Sequence, residues 1–159
     1  MIHRYRVLPS TMIEAARLAG EGAPSGTAVV ADEQTAGQGR QGHSWHSAPN
    51  DGLYVTVVLR MPELKPAITM ALGVAVADAI EEFSGLKPDL RWPNDVMIGD
   101  RKLAGLLTVF EQAAVLAGIG VNVNHHEFPA DIAPIATSLL LETGREHDRE
   151  PLYRRSSGE

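Results

Sequence analysis

The chain contains no cysteine. Disulfides, thiolate metal sites and a cysteine nucleophile are therefore excluded, and the composition suits a reducing compartment. It also lacks a long apolar run, and the start M-I-H-R-Y-R-V has no apolar core of a signal peptide. A cytoplasmic protein with no membrane partner is expected. Positive charge is in deficit: 14 Lys and Arg against 20 Asp and Glu leave a formal net charge of −6. Nucleic acid is thus not an expected partner. No Gly-Lys-Ser/Thr is present, so a Walker A phosphate loop is absent.

What remains is an ordinary globular composition, 44% hydrophobic and 21% charged, in 159 residues. That length fits one domain with a real core and little room for a second. We expect a domain over 1–145 and a charged tail over 146–159 without stable structure.

The order of elements follows from periodicity. Residues 2–7 read as a short strand. Ser10-Thr11 opens a helix running through Ala19, with Thr11 and Glu14 spaced as a capping box, and Gly20–Gly22 ends it. Residues 27–31 form a buried strand. Residues 52–60 alternate, with Leu53, Val55, Val57 and Leu59 on one strongly apolar face. Residues 66–83 form the longest helix, from Pro66 to Gly85, packing through Ile68, Leu72, Ala75, Ala79 and Ile80. Met61 and Met70 read as packing residues. Strands over 90–92, 95–98, 102–110 and 114–123 follow with tight connections, one of them the Gly99-Asp100 turn, so they must be antiparallel. The result is an α+β, two-layer α/β fold: a largely antiparallel, mixed sheet flanked by helices. Residues 125–134 read as a loop and 135–141 as a short helix.

Three stretches carry chemistry. The first is residues 32–45, D-E-Q-T-A-G-Q-G-R-Q-G-H-S-W. Its glycines allow positive φ and close backbone approach, Arg40 supplies a planar cation, and Trp45 a flat stacking face. An anion-binding loop and a plain exposed turn both fit. Gly37-x-Gly39-x-x-Gly42 matches a dinucleotide fingerprint, but a strand follows it where that fold needs a helix.

The second stretch is R-W-P-N-D followed by R-K-L-A-G. Asp95 offers an oxygen to a divalent metal, yet Asn94-Asp95 fits a side-chain-stabilised turn equally well. Lys102 either snorkels from a strand edge or points into a cleft. The third is G-I-G-V-N-V-N at 118–124, whose strand glycines suggest that something approaches closely. Its asparagine amides, on one face, suit a purine edge or neighbouring backbone. His43, His46, His125 and His126 lie on loops and read as solvated, with no histidine metal site.

Together, in this order, E-Q-T-A-G-Q-G-R-Q-G-H-S-W, R-W-P-N-D-V…D-R-K-L-A-G-L-L and G-I-G-V-N-V-N resemble the catalytic core of biotin–protein ligases. Ser10-Thr11 and A-T-S-L at 136–139 fit as well. The resemblance implies the class II synthetase-like fold shared by biotin and lipoate ligases. It implies activation of biotin by ATP with Mg²⁺ as biotinyl-adenylate, then transfer to a lysine of a biotin carboxyl carrier protein. By resemblance, Arg40 and Lys102 are catalytic. Ser10, Thr11, Gln34, Gly37 and Gln38, with Arg40 and Lys102, would bind biotin. Trp45, Asn94 and Asn122, with Arg40 and Lys102, would bind ATP, and Asp95 would hold Mg²⁺. Gln38 and His43 stand where such ligases usually carry arginine. The N-terminal DNA-binding and C-terminal β-domains of the family are expected to be missing. The family's habit of pairing through sheet edges implies a homodimer. The alternatives are a module that binds biotin or its adenylate without transfer, and a lipoate or octanoate transferase.

Overall fold

The computed structural model describes residues 1–151. In chain order the elements are β1 (Ile2–Leu8), α1 (Thr11–Gly20), β2 (Ala28–Gln34), β3 (Gly52–Leu59) and α2 (Pro66–Ser84). They continue with β4 (Asp89–Arg91), β5 (Asp95–Ile98), β6 (Arg101–Glu111), β7 (Ala114–Asn122) and α3 (Leu139–Thr143). Among these residues, no helix is long and apolar enough to cross a membrane.

The strands form one seven-stranded sheet in the order β1-β2-β3-β7-β6-β5-β4. Only β1 and β2 are parallel, because α1 carries the chain back between them; every other neighbouring pair is antiparallel. The expected mixed, largely antiparallel sheet is what the chain builds.

β3 is buried along nearly its whole length on both faces, a departure from the single apolar face read from its alternation. Leu53, Val55 and Val57 meet Val76, Ala77 and Ile80 of α2. Val58, on the opposite face, joins Met12, Ala15 and Ala19 of α1. The two helices thus cover opposite faces, and the expected two layers become three over the sheet centre.

Helix boundaries follow their caps. Ser10 is the N-cap of α1, its hydroxyl accepting from the Met12 N–H. The expected Thr11–Glu14 capping box does not form: the Thr11 hydroxyl bonds Thr56, and Glu14 pairs with Tyr5 and Arg17. α2 begins at Pro66 and ends at Gly85, which takes φ +81°. Its buried stripe is Gly73, Val76, Ala77 and Ile80; of the expected row Ile80 is buried and Leu72 packs against the core, whereas Ala75 is exposed. Met61 and Met70 are exposed rather than packed.

The first residues of the charged segment are docked. Asn124 donates to the His147 carbonyl and accepts from its N–H, both at 2.8 Å. Arg149 donates to the Gly52 carbonyl and pairs with Asp32. The rest of that segment, 152–159, lies outside the described residues.

Candidate functional site

The sheet face under α1 carries a row of glycines, and the site is built on it. Gly105 of β6 and Gly120 of β7 are register partners. A Cβ on Gly120 would fall 2.4 Å from Trp45 Nε1, and one on Gly105 would fall 3.0 Å from the Trp45 ring. A Cβ on Gly118 would meet Met12 Sδ at 2.7 Å. The two strands therefore give up side chains so that Trp45 and Met12 can lie against backbone. This is the close approach that glycines within a strand suggest.

Trp45 reaches this floor because residues 37–45 fold back over it as a small hairpin. The Trp45 N–H donates to Gly37 at 2.8 Å, the Gly39 N–H donates to His43 at 2.7 Å, and Gln38 bridges Ser44. The turn at its tip places Gln41 and Gly42 at φ 55° and 77°. Of the three loop glycines, only Gly42 needs the left-handed region. Gly37 serves close approach: a Cβ there would lie 2.4 Å from the Trp45 carbonyl oxygen.

Two cavities open on either side of Trp45. The first, of about 220 Å³, is lined by the start of α1, the hairpin, β5–β6 and β7. Of the expected site residues it gathers Ser10, Thr11, Gln34, Gln38, Arg40, Trp45, Asn94, Asp95 and Lys102. The second, of about 380 Å³, includes Trp45, Lys102, Asn122, Phe128, Ile132 and Ile135. His43, Ser44, Trp45 and Lys102 line both. Gly37 lines neither; its carbonyl accepts the Trp45 N–H across the hairpin.

The polar groups of the first cavity are held by one another. Gln34 Oε1 accepts the Thr11 N–H at 2.8 Å while its amide donates to Ser47 Oγ at 2.9 Å. Both Gln34 groups are thereby oriented, and the α1 N-terminus faces the cavity. Asn94 donates to the Leu106 carbonyl and accepts the Leu106 N–H, so it pins β6 as a turn residue would. Asn122 donates to the Lys102 carbonyl at 3.5 Å.

Charge in the cavity comes from few groups. Lys102 Nζ lies 2.8 Å from Asp95 Oδ1 and 5.1 Å from the Trp45 ring centroid, a position that serves both an ion pair and a cation–π contact. Lys102 thus points into the cleft. Arg40 is exposed at the hairpin tip and makes no ion pair among the described residues. Among the described residues, Asp95 is the one carboxylate in the lining. Among the described residues no group of three His, Asp or Glu side chains is placed to hold a metal.

The second cavity adds residues that the sequence reading passed over. Phe128 and Ile132 lie in the segment read as a loop and Ile135 at the start of the one read as a short helix, and their signal was apolar side chains recurring there. His125 is also unlike the expectation. It is 1% exposed, and burial holds its imidazole down to a pKa of about 4, so it is neutral at pH 7. His126 and His43 are exposed as read.

Comparison with known proteins sharpens this geometry. Residues 5–125 match the biotin/lipoate A/B protein ligase family. The chain is 42% identical over 155 residues to the bifunctional ligase/repressor BirA of Bacillus subtilis, covering 91% of this chain and 48% of that protein. It is 34% identical over 132 residues to the biotin–[acetyl-CoA-carboxylase] ligase of Mycobacterium tuberculosis, covering 79% of this chain and 49% of that one. The chain therefore spans about half the length of these curated relatives. The Aquifex aeolicus biotin protein ligase solved with biotin and ATP superposes with a TM-score of 0.90 at 34% identity, over 99% of this chain and 67% of that one. The Leishmania major biotin protein ligase solved with biotinyl-5-AMP gives 0.84 at 27% identity, over 98% and 71%.

Proposed function

The chain belongs to the biotin/lipoate A/B protein ligase family, and from that premise we propose that it is an ATP-dependent biotin–protein ligase. It activates biotin as biotinyl-5′-adenylate and passes the biotinyl group to a lysine of a biotin carboxyl carrier protein. The observation that carries this reading is the pair of cavities meeting at Lys102 and Trp45. A reaction joining a carboxylate to a nucleotide phosphate needs two compartments with a shared cation at their junction, and Lys102 lines both.

In the first step a biotin carboxylate oxygen bonds to the α-phosphorus of ATP, and the bond from that phosphorus to the bridging oxygen breaks, releasing diphosphate. Two anions approach one another, so the main requirement is fixed positive charge. Lys102 supplies it at the junction and Arg40 from the hairpin. Asp95 would hold a Mg²⁺ ion brought in with the nucleotide, since such an ion needs only one or two protein carboxylates, and the ion would supply further charge neutralisation.

Ser10, Thr11 and Gln34 surround the ureido end of biotin, Gln38 adds a polar group from the hairpin, and Gly37 lets the two arms of that hairpin close on one another. Trp45 and Asn122 face adenine, and Asn94 fixes the β6 backbone beside the phosphates. The hairpin 37–45 closes over the mixed anhydride and keeps water from it. In the second step the carrier lysine nitrogen bonds to the biotinyl carbonyl carbon, and the bond from that carbon to the bridging oxygen breaks. AMP departs with that oxygen and the bond's electrons, and the amine loses a proton.

The test is to combine the protein with biotin, MgATP and a carrier domain and probe the carrier with avidin. Labelled carrier is expected. Biotin-dependent exchange of diphosphate into ATP without labelling would reduce the function to adenylate formation and retention. Labelling of the carrier with lipoate in place of biotin would overturn the choice of acid.

A further inference from the structure

The segment between β7 and α3 lines the second cavity with little support of its own. Residues 124–132 have no regular structure, and the backbone bonds of 132–135 are internal to the segment. Three rings join it to the loop before β3. His125 and Phe128 stack almost in parallel, 10° apart with centroids at 5.0 Å. His46 sits edge-on to Phe128 at 6.1 Å and tilted to His125 at 5.6 Å.

His125 is fixed from behind. Its Nε2 lies 3.4 Å from the Tyr54 hydroxyl of β3, which bonds the Ala48 carbonyl at 2.9 Å. Its own carbonyl accepts from Ser138 Oγ at 2.7 Å. Phe128 and His46 line the cavity, whereas His125 does not.

We propose that His125 is a positioning residue for the nucleotide-side cavity, its buried ring holding Phe128 as a preformed wall in the ligand-free protein. The inference rests on the reading of that cavity as the nucleotide site. Its physical content is preorganisation: ordering an irregular segment on binding subtracts from affinity, and a segment already held by ring stacking avoids that loss. The stack uses the imidazole as a flat ring against Phe128. A phenyl ring at position 125 therefore preserves the wall, and a methyl group does not.

The experiment compares wild type, His125→Ala, His125→Phe and Phe128→Ala, with amide hydrogen exchange over residues 126–135 in the ligand-free protein as the first readout. His125→Ala and Phe128→Ala are expected to speed exchange at least tenfold there, and His125→Phe to restore wild-type protection. The second readout is the KM for ATP, expected to rise at least fivefold in both alanine variants while the biotin affinity stays within twofold. Phe128→Ala removes a half-buried ring, so it reports even where His125→Ala folds poorly. Unchanged exchange in both alanine variants, or failure of His125→Phe to restore it, overturns the positioning role. Changed exchange with an unchanged KM for ATP leaves the wall in place and instead refutes the assignment of this cavity to the nucleotide.

Discussion

Trp45 rests on the backbone of Gly120, its Nε1 2.4 Å from where a Cβ would stand. No side chain fits between them, so the glycine of one strand sets the height of the indole above the sheet. Gly120→Ala is expected to lift Trp45 and raise the KM for ATP at least tenfold, a loss of about 1.4 kcal/mol in binding. The biotin affinity should fall less, because Trp45 forms only one wall of that cavity. Steady-state kinetics beside calorimetric biotin titration checks the split, and equal losses in both would count against it.

The lid glycines should behave differently from one another. At Gly37 a Cβ meets the Trp45 carbonyl at 2.4 Å, a backbone atom that cannot rotate away. At Gly39 the nearest atom is the His43 carbonyl at 3.2 Å. Gly37→Ala is thus expected to weaken biotin binding about tenfold or more, since the added Cβ would also fall 2.8 Å from Ser47 Oγ, the partner of Gln34. Gly39→Ala should cost less than threefold in the same titration.

Lys102 carries a separate prediction. Its Nζ pairs with Asp95 at 2.8 Å and the side chain lines both cavities, so the charge stands at their junction. Lys102→Ala is expected to slow adenylate formation by ~10²-fold or more while biotin affinity stays within fivefold. Asp95→Asn should raise the Mg²⁺ concentration needed for half-maximal rate. Diphosphate-exchange assays measure both, and a Lys102→Ala protein of normal rate would remove that residue from the mechanism.

Acid should destabilise the fold through His125. Its pKa falls from 6.5 in the unfolded chain to about 4 in the folded one, because burial disfavours the cation. Below pH 6.5 the unfolded state takes up a proton that the folded state refuses until about pH 4, so stability falls between those values and levels off beneath them. The full loss from this group is about 3 kcal/mol. Urea unfolding at pH 7 and pH 4.5 is expected to show a smaller loss for His125→Phe than for wild type. Parallel losses in the two proteins would assign the acid sensitivity elsewhere.

The sequence by itself determined the order and kind of nearly every element. Alternation and apolar periodicity are local, and they placed β3, α2 and the hairpin-linked strands within a few residues. It also marked the glycines of 37–42 and 118–120, because a glycine in a strand or a tight loop is conspicuous whatever surrounds it. What it left open was which neighbour each glycine serves. β6 and β7 pair locally and bring Gly105 beside Gly120, but both meet Trp45 only because the hairpin 37–45, far away in sequence, folds back over them. The same reason hid the role of Ser10 over Thr11, whose hydroxyl was drawn away by Thr56 across the sheet. It hid the second buried face of β3, which exists because α1 and α2 cover opposite sides. His125 read as solvated since Tyr54 and His46, which pack against it together with the nearby Phe128, lie far away in the chain. Local pattern thus decided the loop of 32–45 as a feature, and tertiary packing decided that it stands as a hairpin carrying Trp45 between two cavities.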